Sequence, residues 1–170
     1  EVDIRSDGSL DFPDELLARL DFVVAAVHSG FKNNVTERMV RALGNPHVRT
    51  IAHPSGRLIS GREGYAVDLD RVIDAAAAKG KALELNAYFD RLDLDELHLK
   101  KAKQKGVKIT IGTDTHFAEG LAMMRFGVGV ARRAWLEKGD VLNALDADEL
   151  VRAPAKGRTP AGGTPRKRRK

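Results

Sequence analysis

The chain has 170 residues, enough for one ordinary domain core and too few to expect two. It has no cysteine, which excludes disulfides and thiolate metal sites and leaves His, Asp, Glu or backbone oxygen to hold any metal. Its longest apolar run, Phe22 to Val27, falls far short of a membrane span, and no signal-peptide pattern opens it, so a soluble cytoplasmic protein is expected. The net charge of +5 is unevenly spread. Lys156, Arg158, Arg166, Lys167, Arg168, Arg169 and Lys170 follow Ala153 with no acidic residue among them, and the part before them is nearly neutral. Glu1 stands where a methionine would open a gene product, and a fragment or processed product is expected.

In chain order, short β-branched runs at Val2–Ile4, Phe22–Val27, Thr50–Ala52, Ala82–Leu85 and Lys108–Ile111 predict strands. Helices are expected between and after them. Pro13, Asp14 and Glu15 suit a first helical turn, where a missing N–H and negative charge are both tolerated. Asp70–Lys79 is Ala-rich and stops at Gly80. Asp93 and Glu96 have the spacing of a capping box for a helix ending at Gly106. A longer helix is expected over Glu119–Glu137, weakened by Gly127 and Gly129, and a short one after Asp146. Strand–helix alternation implies an α/β fold of parallel strands covered by helices. Residues 1–152 read as the folded part. Residues 153–170, rich in Pro, Gly and basic side chains, read as a disordered tail, either solvated or making sequence-independent contacts to phosphates.

His28, His53 and the pair Asp114 and His116 each follow a predicted strand. That places them together at the carboxyl edge of a parallel sheet, where ligands gather in α/β folds. Imidazole nitrogens and carboxylates suit divalent ions such as Mn²⁺, Zn²⁺ or Fe²⁺. Any one of these residues alone is more often structural, and Asp114 alone is as well explained as a helix cap. Their common position carries the argument. His47, in a turn after Asn45-Pro46, and His98, within a charged helix, read as structural.

The ordered segments Glu1-Val2-Asp3-Ile4, Val27-His28-Ser29-Gly30, Ala52-His53-Pro54, Glu84-Leu85-Asn86 and Thr113-Asp114-Thr115-His116 resemble the polymerase-and-histidinol-phosphatase (PHP) domain. The stretches Asp7–Leu17, Gly56-Arg57-Leu58-Ile59 and Gly127–Leu136 are similar to its form in bacterial family X DNA polymerases, and the resemblance covers about residues 1–150. It implies a distorted (β/α)7 barrel, here incomplete, with a metal cluster at one face. Glu1 would bridge ions, with His28, His53, Asp114 and His116 as further ligands; Asp114, His116 and His28 would serve catalysis. Arg57 is a phosphate contact or a plain loop arginine. Glu84 and Asn86 match a strand motif and are not assigned as ligands. The family's first His-x-His motif and the polymerase domain would precede Glu1 in a parent protein. The implied activity is Mn²⁺-dependent hydrolysis of DNA phosphodiesters at 3′ ends by activated water. The alternatives are a phosphatase of the histidinol-phosphate type, or a non-catalytic fragment.

Overall fold

The structure is a computed structural model that describes residues 1–152; the expected tail at 153–170 lies outside the described residues. The five β-branched runs form strands β1 (Val2–Asp3), β2 (Val23–Ala26), β3 (Val48–Ile51), β4 (Ala82–Asn86) and β5 (Ile109–Gly112). They lie side by side in sequence order, and every neighbouring pair is parallel. Each crossover carries a helix, as parallel pairing requires: α1 (Asp14–Leu17), α2 (Val35–Leu43), α3 (Leu69–Lys79) and α4 (Glu96–Gln104). After β5 a 3₁₀ turn, Ala118–Met123, runs into α5 (Met124–Arg133), and the described chain ends in α6 (Ala147–Arg152). The expected α/β class with parallel strands and covering helices is therefore present.

Three expectations change in detail. Helix α2 was not singled out by pattern, yet it buries Val35, Met39, Ala42 and Leu43, a clean i, i+4, i+7, i+8 stripe. Its polar residues Thr36, Glu37, Arg38 and Arg41 masked that stripe in the sequence. The cap of α4 is Asp95, whose carboxylate accepts the Leu97 and His98 N–H groups, and not Asp93, which is wholly buried. The long helix expected over Glu119–Glu137 divides into the 3₁₀ turn and α5. Gly127 does not break α5, because it is the point of closest approach to the sheet. A Cβ there would sit 2.6 Å from Ala87 Cβ and 2.7 Å from Ile111 Cγ2.

One face of the sheet makes the core. Leu83 and Leu85 of β4 and Ile109 and Ile111 of β5 join Val72, Ile73 and Ala76 of α3 and Leu99 and Ala102 of α4 in one buried cluster. The opposite face is more polar: Val24, Thr50, Glu84 and Thr110 line a cavity of about 250 Å³ with Leu142 and Asn143. There Thr50 Oγ1 and Thr110 Oγ1 approach to 3.2 Å across β4. Their strands are two spacings apart, about 9.6 Å if flat, so the sheet bows towards this face. The outer edge of β5 is covered, since Asn143 Oδ1 accepts the Ile111 N–H at 2.7 Å and its Nδ2 donates to Ile111 O at 3.0 Å. An edge met in this way is closed to further strand pairing at that point.

Two buried charged side chains tie the βα loops together. The side chain of Arg38 in α2 is 2% exposed and donates to four carbonyls. Nη2 reaches Ile4 O at 2.5 Å, Nε reaches Arg5 O at 2.9 Å, and Nη1 reaches Ser29 O at 2.9 Å and Gly30 O at 3.0 Å. The segments leaving β1 and β2 thus share one guanidinium. Asp93 does the same with opposite sign: its carboxylate accepts the N–H groups of Ser55 at 3.0 Å and Gly56 at 2.9 Å. Burial pushes its pKa above the usual carboxylate value, although those donors oppose the shift.

Replacing Arg38 with Met leaves four carbonyls, one buried and three partly buried, without their donor and is expected to cost on the order of 3 kcal/mol in urea unfolding. Arg38→Lys should recover only a minority of that, since an ammonium cannot reproduce the fork. A loss below about 1 kcal/mol for the Met variant would show that the carbonyls find other partners. Asp93→Ala strands one buried and one partly buried N–H group and should cost roughly 2–4 kcal/mol, with hydrogen exchange of the Ser55 and Gly56 amides accelerated beyond the global change. Unaltered protection of those amides would contradict the tether.

Candidate metal centre

The candidate ligands share a regular placement. His28 lies two residues past the end of β2, His53 two past β3, and Asp114 two past β5. Glu1 and Asp3 flank Val2 in an extended segment, so the strand's period of two puts both on one side. Two of these positions turn the chain sharply. His53 has φ 31° and Asp114 has φ 52°, in the left-handed region where a side chain is uncommon and costs of order 1 kcal/mol or more.

Glu1, His28 and His53 converge. Glu1 Oε1 lies 3.0 Å from His28 Nε2 and 3.7 Å from His53 Nε2, and one donor atom from each residue falls within 4.8 Å of the others. Donors on a tetrahedral Zn²⁺ stand about 3.4 Å apart, so the separations suit a shared ion. The distance to His53 exceeds hydrogen-bond reach. His53 is 2% exposed, and its Nδ1 is buried with no hydrogen-bond partner. A buried imidazole with so little local bonding, facing a carboxylate and a second imidazole, fits a divalent ion of borderline character. The other nitrogen of His28, Nδ1, is 2.6 Å from Asp3 Oδ1. A carboxylate there fixes the tautomer that leaves Nε2 free to ligate.

The electrostatics follow from crowding. The His53 ring beside it holds the Glu1 carboxyl below its usual value, with His28 adding to the effect. For His53, burial works to lower the pKa, but Glu1 and Glu84 outweigh it and the net shift is upward. Glu84 is pushed up to about 7 by burial. Its Oε2 accepts the His53 N–H at 2.7 Å and a bond from Asn86 Nδ2 at 3.3 Å. The carboxylate lies across Gly112, where a Cβ would collide with Glu84 Oε1.

Asp114 and His116 stand outside the trio. Asp114 Oδ2 is 3.2 Å from Asn86 Nδ2 and 3.2 Å from Arg91 Nε; His116 is exposed on the following turn. Arg57 donates through Nε to Arg91 O at 2.8 Å and through Nη2 to Leu92 O, so those donors hold main chain. His47 sits in an Asx turn, its N–H bonded to Asn45 Oδ1, and His98 Nδ1 lies 2.9 Å from Asp95 Oδ1 at the α4 cap. Both have the local structural partners expected of them. Sequence reasoning passed over Asp3, for which the Glu1-Val2-Asp3 alternation was a usable signal. It also passed over Arg91 and Asp93, for which no local pattern existed.

No protein-family model matches the chain. It is 48% identical over 153 residues to the DNA polymerase/3′-5′ exonuclease PolX of Bacillus subtilis (strain 168), a match covering 88% of this chain and 27% of that protein. It is 33% identical over 156 residues to a probable phosphatase of Thermoanaerobacter sp. (strain X514), covering 84% and 61%. A probable phosphatase of Acetivibrio thermocellus is 35% identical over 125 residues, covering 68% and 49%. The chain thus spans from about a quarter to three fifths of these relatives' lengths. With His and Glu donors gathered at a parallel sheet's carboxyl edge and 48% of its aligned residues shared with PolX, the chain belongs to the PHP-domain family, on the branch of the bacterial family X DNA polymerases.

Proposed function

We propose that this chain is the metal-binding part of a PHP phosphoesterase that hydrolyses DNA phosphodiesters at 3′ ends, with Mn²⁺ as the working ion. The observation that carries the proposal is the convergence of Glu1, His28 and His53, in a chain 48% identical to a protein named as a 3′-5′ exonuclease. The bowed, sequentially ordered sheet supports reading the strands as part of a distorted (β/α)7 barrel.

In this reading Glu1, through its carboxylate, and His28 and His53, through Nε2, would hold a divalent ion. Asp114 and His116 are assigned to a further ion at the same edge. A divalent ion held there would supply Lewis acidity, lowering the pKa of water and offsetting phosphoryl charge. The protein's own groups do the rest. Asp3 keeps a proton on His28 Nδ1 and so directs Nε2 inward. Glu84 holds the His53 main chain in its left-handed turn. His116, exposed at the rim, is assigned to carry a proton to the departing oxygen only when its ring is not ligating, since metal ligation competes with that role. Arg57 steadies the Arg91–Leu92 segment on the substrate side. A phosphomonoester is the second candidate substrate, favoured by the relatives named as probable phosphatases.

Purified chain dialysed against metal-free buffer and reloaded with Mn²⁺ is expected to retain the ion and to shorten a 5′-labelled DNA strand from its 3′ end. It should act more slowly on histidinol phosphate; the reverse preference would select the phosphatase reading. His28→Ala should lower both metal retention and hydrolysis by at least ~100-fold while the thermal midpoint of the metal-free protein stays within a few degrees, because the ring is well exposed. Asp114→Asn should reduce hydrolysis to a similar degree. Wild-type rates in either variant would remove that residue from the site.

A further inference from the structure

Beyond β4 the chain folds into a tight loop that presents one arginine. The Arg91 and Leu92 N–H groups both donate to Tyr88 O, at 2.8 and 3.1 Å, and Leu92 takes a left-handed φ of 45°. Arg57 holds the carbonyls of Arg91 and Leu92. Asp90 holds the neighbouring loop, its O and Oδ1 accepting the N–H groups of Ile59 at 2.6 Å and Ser60 at 2.7 Å. This bonding fixes the Arg91 main chain and aims its side chain at the carboxyl edge of β5, where Nε lies 3.2 Å from Asp114 Oδ2.

The side chain is only 18% exposed, and its Nη1 is buried with no hydrogen-bond partner. A desolvated guanidinium with an unmet donor is costly to keep unless an anion completes it. Three other described arginines around this edge have donors on carbonyls: Arg38 on the β1 and β2 exits, Arg57 on this loop, and Arg62 on Gly56 O while stacked on the Phe31 ring 4.2 Å away. Arg91, by contrast, has its charge facing Asp114 and a buried donor without a hydrogen-bond partner.

Resting on the phosphoester reading above, we propose that Arg91 is a substrate-binding residue that takes the non-bridging oxygens of the scissile phosphate. Asp114 orients the guanidinium through Nε, and the terminal nitrogens meet the tetrahedral anion. The planar fork suits this geometry better than an ammonium.

The test is titration of the intact Mn²⁺-loaded chain with inorganic phosphate by calorimetry, alongside metal content and DNA hydrolysis. Arg91→Ala and Arg91→Gln should weaken phosphate binding roughly 10- to 100-fold, the range for a charge-assisted hydrogen bond, with metal content unchanged; Arg91→Lys should recover part of it. Phosphate affinity within twofold of wild type in a folded, metal-loaded Arg91→Gln chain overturns the proposal. So does loss of metal in all three variants, which would assign Arg91 to holding Asp114 instead. Absence of metal and of hydrolysis in the wild-type chain would defeat the phosphoester reading, whereas wild-type activity with unaltered phosphate binding in the variants defeats the Arg91 assignment alone.

Discussion

Four main-chain carbonyls meeting on the guanidinium of Arg38 hold this edge of the sheet together. Strand β1 is two residues long and pairs with β2 through Val2↔Ala25 and Asp3↔Ala26, too little on its own to fix a strand. Arg38 supplies the missing constraint by bonding Ile4 O and Arg5 O on one exit and Ser29 O and Gly30 O on the other. Glu1, Asp3 and His28 inherit their mutual geometry from that clamp. The desolvation cost of burying such a charge is large, and it is met by four oriented dipoles rather than by a carboxylate that would compete for metal.

The same device recurs along the sheet edge. Asp93 holds the turn after His53, Arg57 holds the turn carrying Arg91, and Tyr65 Oη donates to Val27 O at 2.8 Å beside His28. Asp93 and Tyr65 each bond the main chain next to a candidate ligand on another loop, and Arg57 bonds the main chain of the loop that carries Arg91. Side chains that bond backbone leave the ligand side chains free. Beside His53 this arrangement lets the chain keep a left-handed backbone conformation that an isolated loop would relax.

Much of this was legible in the sequence. The five strands, their parallel pairing and the placement of His28, His53 and Asp114 at strand ends follow from local runs and their punctuation. What escaped was long-range. The apolar stripe of α2 was hidden among charged residues, and one of these, Arg38, proves to be buried. Asp93 read as a helix cap because its spacing to Glu96 fits one; nothing local reveals that its carboxylate serves residues 55 and 56. Arg57 and Arg91 are alike as letters, and only the fold distinguishes the arginine bonded to carbonyls from the one beside Asp114.

The interlock between the loops at 57–62 and 88–93 has a consequence for how such a domain varies. Main-chain bonds from Leu58, Ile59 and Ser60 to Arg62 and Asp90, with the Arg57 and Asp93 ties, make the two segments one mechanical piece. An insertion or deletion in either would be transmitted to the other across both strands. Length changes here are therefore constrained to occur in pairs, whereas the outer turns joining helices to strands are free to drift singly.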